Sequence, residues 1–97
     1  MKDREDPRTR IEELGQRFTC LANAPGITPF DARMLDEWAA SDAPSPAQHH
    51  AACFILGVWD SGTAWKAGPF LVMEALAAWD YENRLAFLCW ANSPWWA

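Results

Sequence analysis

Two histidines and a cysteine near the middle of the chain are the residues best placed to do chemistry. His49 and Cys53 are four positions apart, and His50 and Cys53 are three apart, so on a helix either pair shares a face. Such a pair can hold a metal ion or activate a thiolate. Zinc needs three or four ligands, however, and Cys53 is followed directly by Phe54 and Ile55, which favours an inert core thiol. We therefore expect no bound metal and no cofactor, with His49 and Cys53 as the nearest metal candidates.

Two acidic side chains, Asp60 and Glu74, are the remaining candidates for a polar role. Glu74 is the only charged residue between Gly68 and Trp79. Burial would raise the pKa of such a carboxyl and make it useful as an acid or base. A lone charge on an apolar helix more often marks the solvent side, which is the interpretation we favour. Because no nucleophile stands beside a base and an orienting group, we do not expect an enzyme.

Seven tryptophans among ninety-seven residues are the most unusual feature of the composition. Indole rings are seldom buried completely, and they dominate the energetics of many protein–protein contacts. They are either bulky filler of a small core or the wall of an interface or pocket. The interface candidates are Trp59, Trp65, Trp79, Trp90, Trp95 and Trp96. For the last two, which follow the helix-stopping Pro94, we favour docking into a second copy of the chain.

The residues that carry these side chains are predicted to lie on helices. The nine residues from Ala51 to Trp59 carry no charge and are apolar on nearly all sides, which is typical of a helix buried among others. Ser45 and Gln48 have the spacing of a capping box, and Pro46 between them suits a first helical turn. A central helix is therefore predicted over about residues 46–59.

Apolar spacing of three and four residues predicts four further helices, so we expect an all-α, single-domain bundle of about five short helices. Their predicted ranges are about 7–22, 29–41, 69–79 and 80–91, with a break at Asp80. The expected core consists of Phe18, Leu35, Phe54, Ile55, Val58, Met73 and Leu88. The acidic side chains of the second helix are expected to face solvent, namely Asp31, Asp36 and Glu37. Residues 1–6 are predicted to be a charged flexible leader before the helical domain 7–97, and 92–97 its tryptophan-rich tail.

The distribution of charge argues against nucleic-acid binding. Residues 1–17 are neutral, with five basic and five acidic side chains, whereas residues 18–97 carry three basic and eight acidic ones, which gives the net charge of −5. No basic stripe is present to neutralise phosphates. The apolar runs are too short to span a membrane, and the first residues lack the pattern of a signal peptide. With three widely spaced cysteines expected to stay reduced, the protein is predicted to be cytoplasmic.

These observations predict a small cytoplasmic protein that acts through protein–protein contacts, with a homodimer as the favoured arrangement. The alternative is a small-molecule or metal-binding domain, with or without catalytic activity. Its pocket would be walled by tryptophans and furnished with His49, His50, Asp60 and Glu74.

Overall fold

The computed structural model describes residues 6–97, and this part of the chain contains five α-helices and no strand. A short 3-10 turn, Thr19–Leu21, follows the first helix. The helices are α1 (Pro7–Gln16), α2 (Ala32–Ala39), α3 (Pro46–Trp59), α4 (Val72–Ala78) and α5 (Tyr81–Asn92). The predicted all-α fold is confirmed, and the helices form one compact globule. The predicted leader lies outside the described residues except for Asp6, whose carboxylate caps α1 by accepting the N–H of Arg8.

α3 lies at the centre of the bundle, as its sequence predicts. Its capping box is formed, because the Ser45 hydroxyl accepts the Gln48 N–H while the Gln48 side chain accepts the Ser45 N–H. The helix contacts α1, α2, α4 and the 3-10 turn. Five of the expected core side chains are at most 3% exposed, namely Phe18, Leu35, Phe54, Ile55 and Val58.

Two of the expected core side chains lie on the surface instead. Met73 is 77% exposed and Leu88 is 52% exposed. α4 is only seven residues long and turns Ala75 toward the core, which leaves Met73 outside. On α5, Ala86 is the apolar residue that is buried, and Leu88 projects from the other side. Periodicity fails here because these short helices carry apolar side chains on more than one face.

Three helices, α1, α2 and α4, are shorter than predicted. α1 ends at Gln16 rather than near residue 22, since Phe18 is extended and buries its ring against Phe54 and Trp79, at 5.6 and 5.3 Å between centroids. α2 begins at Ala32 because the Asp31 carboxylate caps the helix there. α4 begins at Val72 rather than Pro69, and Phe70 packs in the preceding loop.

Asp36 is buried, although it was expected to face solvent. Its side chain is 7% exposed, and its two carboxylate oxygens accept the backbone N–H groups of Lys66 and Ala67 at 3.1 and 2.9 Å. The loop between α3 and α4 thus donates two hydrogen bonds to α2. The other two acidic residues, Asp31 and Glu37, are exposed as predicted.

The predicted break at Asp80 is confirmed. Trp79 has an extended backbone that ends α4, and the Asp80 carboxylate accepts the Asn83 N–H at 3.1 Å to cap α5. Asn83 is itself buried, and its side-chain oxygen accepts the N–H of Cys20, which ties α5 to the 3-10 turn.

Candidate functional site

Trp79 belongs to the core and not to an interface. It is 1% exposed, and its ring lies 5.3 to 5.9 Å from the rings of Phe18, Phe70 and Phe87. Its indole N–H donates to the Ala47 carbonyl at 3.0 Å, so the polar atom is satisfied inside the protein. Of the two interpretations of the tryptophans, core filler or interface wall, Trp79 fits core filler.

Trp59, the last residue of α3, and Trp65, in the loop that follows it, are both half-buried. The Trp59 ring packs 4.8 Å from the Phe30 ring, with the Arg8 guanidinium 6.0 Å from its centroid. The Trp65 indole N–H donates to the Asp60 carbonyl at 3.1 Å. Both side chains are partly accessible, so either can line a pocket or contact another molecule.

The residues after α5 fold back on their own domain. The Trp90 indole N–H donates to the Trp95 carbonyl at 2.9 Å, and the Ala97 N–H donates to the Val58 carbonyl at 3.0 Å. The Arg10 guanidinium lies 4.2 Å from the centroid of the half-buried Trp95 ring. Trp96 meets Trp90 edge to face at 5.3 Å yet remains 58% exposed. The domain itself therefore covers Trp95, and docking into a second copy is not needed to shield it.

His49 and Cys53 are neighbours on α3, as their spacing predicts. The Nδ1 of His49 lies 2.9 Å from the Ala39 carbonyl and must carry the proton there, which leaves Nε2 as an acceptor 3.6 Å from the Cys53 sulfur. The thiol also lies 3.6 Å from the Ala67 carbonyl. Burial, and then the negative charge of Asp36, raises the pKa of Cys53 to about 11. A protonated thiol at neutral pH is a weak nucleophile, so this pair fits a structural hydrogen bond.

The charges of His49 and Glu74 both act on the pKa of His50. Burial, followed by the proximity of His49, lowers the pKa of His50, and the Glu74 charge opposes that shift. The His50 Nδ1 atom is buried, and no partner for it is found among the described residues. Glu74 is exposed, so it marks the solvent side of α4 as the sequence suggested. Within residues 6–97 no three His, Cys, Asp or Glu side chains are grouped so as to hold a metal ion.

Asp60 shapes the loop after α3. Its carboxylate accepts the Gly62 N–H at 3.0 Å and the Thr63 hydroxyl at 2.7 Å. Its carbonyl receives the Trp65 indole N–H. His49 and His50 lie near the start of α3 and Asp60 caps its far end, about 15 Å away at roughly 1.5 Å per residue, so the predicted pocket residues are not brought together at one point.

Two apolar cavities lie elsewhere, beside α3. The larger, of about 470 Å³, lies between α3 and the loop that leads to α4, with Cys53, Gly57, Trp65 and Phe70 among its lining residues. The smaller, of about 160 Å³, also has Gly57 and Phe70 in its wall and adds Trp90 and Trp96. Neither cavity is lined by the histidines or acidic residues predicted for a pocket, whereas three of the predicted tryptophans do contribute.

The outer side of α5 presents an apolar stripe that the tryptophan count did not reveal. Tyr81, Leu85 and Leu88 are 69%, 39% and 52% exposed. Their spacing of four and three residues places them along one face. The opposite face carries the buried Asn83 and Ala86. We call these three residues the α5 outer stripe. The sequence signal for this stripe is that α5 carries apolar side chains on both faces, because packing within the bundle covers only one face of the helix.

No family model matches the chain, and searches of curated proteins and of solved structures find no match either. None of the described helices is both long and apolar enough to cross a membrane.

Proposed function

We propose that this chain acts through protein–protein contact and forms a homodimer in which the α5 outer stripes of two copies pack together. The observation that carries the proposal is the exposure of Tyr81, Leu85 and Leu88 along one face of a regular helix. Leucine and tyrosine side chains aligned in this way gain free energy when another apolar surface removes them from water.

A second copy of the chain suits this stripe better than an unrelated partner. Residues spaced by four and then three positions on one helix pack well against the same pattern on an identical helix, as in a coiled coil. A twofold dimer places the same patch of both copies in contact. α5 carries one acid and one base, Glu82 and Arg84, so it is neutral although the chain has a net charge of −5. Charge repulsion between copies is therefore weaker along α5 than elsewhere on this acidic surface.

The proposed compartment is the reducing cytoplasm. Cys20, Cys53 and Cys89 are free thiols, and two of them, Cys20 and Cys53, lie 3.7 and 3.6 Å from backbone carbonyls inside the protein. A protein kept in an oxidising compartment more often pairs its cysteines. The homodimer proposed here accordingly needs no disulfide bond between the copies.

Sedimentation equilibrium of the wild type and of Leu85→Glu/Leu88→Glu tests the proposal. The wild type should have twice the chain mass of 10.9 kDa, and the double variant should have that of one chain. Glutamates in the interface would be desolvated without partners, which separates the copies. Met73→Glu is the matched control, because Met73 is 77% exposed on α4 and lies outside the stripe.

A helical far-ultraviolet spectrum of the double variant will show that its fold is intact. If the wild type sediments as a single chain at micromolar concentration, the proposal is wrong. The stripe is equally excluded if both the double variant and Met73→Glu remain dimeric.

A further inference from the structure

Gly57 leaves a gap on the surface of α3 that no neighbouring side chain fills. A Cβ atom built at Gly57 would find no atom within 4 Å, although Leu56 and Val58 on either side of it are buried. Glycine in a helix interior is destabilising relative to alanine. Neither backbone conformation nor close packing therefore requires a glycine here, and the half-buried Gly57 borders open space.

The two apolar cavities meet at this gap. Both have Gly57 and Phe70 in their walls, so the bare backbone of α3 forms a floor common to them. The larger cavity, at about 470 Å³, falls in the range of about 300–1,000 Å³ that is usual for small-molecule sites. Trp65 stands in the wall of this cavity, and Trp90 and Trp96 stand in that of the smaller one.

The wall of the larger cavity is held in place before any ligand arrives. At one end of the loop, Asp36 accepts the N–H groups of Lys66 and Ala67. At the other end, Asp60 accepts the N–H of Gly62 at 3.0 Å. Binding to a wall fixed in this manner costs little conformational entropy. The cavity therefore has the preformed shape that ligand sites usually have.

The chemistry of the walls selects the class of ligand. Neither cavity has a charged residue in its lining. The indole N–H of Trp65 and the thiol of Cys53 already have carbonyl partners, at 3.1 and 3.6 Å. A charged ligand would lose its hydration here without gaining a counter-charge. A flat apolar ligand would instead cover the half-buried rings of Trp65 and Phe70. The hydroxyl of Ser61, at the exposed rim, can accept one hydrogen bond from it.

We propose that the cavities at Gly57 form a binding site for a small, neutral, aromatic compound. The larger cavity is made by α3 and the loop that follows it, while Trp90 of α5 and Trp96 wall the smaller one, and neither cavity includes a residue of the α5 outer stripe. A negative result for this binding site would therefore leave the homodimer proposal unchanged, and the reverse also holds. The site also differs from the pocket predicted by the sequence, because no histidine or acidic side chain contacts the ligand.

Titration of ¹⁵N-labelled protein with indole, followed by two-dimensional NMR, tests the site. Indole should cause saturable shifts of the N–H signals of Gly57, Gly62 and Gly68 and of the Trp65 indole N–H. Gly57→Leu should raise the dissociation constant for indole by at least about tenfold, because the leucine side chain occupies the cavity. The anion indole-3-carboxylate should bind the wild type at least about tenfold more weakly than indole.

Two further variants keep the test independent of folding. Leucine is the better helix former, so Gly57→Leu should melt no lower than the wild type. If it does melt lower, Gly57→Ala, which adds one methyl group toward the cavity, takes its place. Ala77→Leu is the matched control, since Ala77 is exposed on α4 and lines neither cavity, and its affinity should equal that of the wild type. Absence of saturable shifts in the wild type, or unchanged affinity in the folded Gly57 variant, would overturn the proposal.

Discussion

At the scale of single residues, buried hydrogen bonds decide several positions that polarity alone misplaces. Asp36 is the clearest example, because an acidic residue in an amphipathic helix is normally expected to face solvent. It is buried since its carboxylate supplies two acceptors to the loop of residues 60–70. That need arises from a segment thirty positions further along the chain, so local spacing cannot reveal it.

Asp36→Ala should lower the free energy of unfolding by about 2–4 kcal/mol, because two backbone N–H groups lose their acceptors inside the protein. Asp36→Asn keeps one acceptor oxygen and should cost less. Urea denaturation measures both. Glu37→Ala is the control, since Glu37 is exposed and its replacement should change stability by no more than about 0.5 kcal/mol. Equal stability of Asp36→Ala and Glu37→Ala would mean that the carboxylate does not hold the loop.

At the scale of elements, the sequence predicts each helix but only some of the helix ends. Two ends that side-chain caps specify were predicted correctly, at Ser45 before α3 and Asp80 before α5, whereas the Asp31 cap before α2 was missed. Other ends depend on tertiary contacts. Phe18 leaves α1 because its ring packs against Phe54 and Trp79. Before α2, the Phe30 N–H donates to the Glu12 carboxylate with 2.7 Å between nitrogen and oxygen, and the Phe30 carbonyl accepts a hydrogen bond from Arg8. The same limit applies to α5, where both faces are apolar and only packing determines which is buried.

The segment after α5 has contacts that belong to the domain itself, so its removal should affect stability and not association. A chain ending at Asn92 loses the packing of Trp95, the Ala97–Val58 hydrogen bond and the acceptor of the Trp90 indole N–H. We expect its free energy of unfolding to fall by about 2–4 kcal/mol while the mass per particle remains that of two chains.

Thermal unfolding and sedimentation of the shortened chain measure the two properties. A matched control lacks Ala97 alone and should lose only the single hydrogen bond to Val58. A shortened chain that becomes monomeric with unchanged stability would restore the sequence-based expectation that Trp95 and Trp96 dock into a second copy.

At the scale of the whole molecule, the fold class follows from the sequence and the site does not. Helical periodicity and the absence of alternating patterns sufficed for the all-α bundle. The tryptophans were correctly singled out as unusual, yet Trp79 is core and Trp65, Trp90 and Trp96 line cavities. Which rings stay accessible depends on how seven bulky side chains share one small interior, and that sharing is a property of the assembled bundle.

The distance between the two copies of Cys89 tests the central proposal most directly. Cys89 follows Leu88 and is exposed, whereas burial raises the pKa of both Cys20 and Cys53 to about 11, so a thiol-reactive nitroxide should label Cys89 selectively. Packed helices have axes about 8–10 Å apart. Pulsed electron spin resonance should then give a label-to-label distance below about 30 Å in the wild type, lost in Leu85→Glu/Leu88→Glu. A wild-type sample with no dipolar coupling, or with only distances beyond about 40 Å, would contradict pairing through α5.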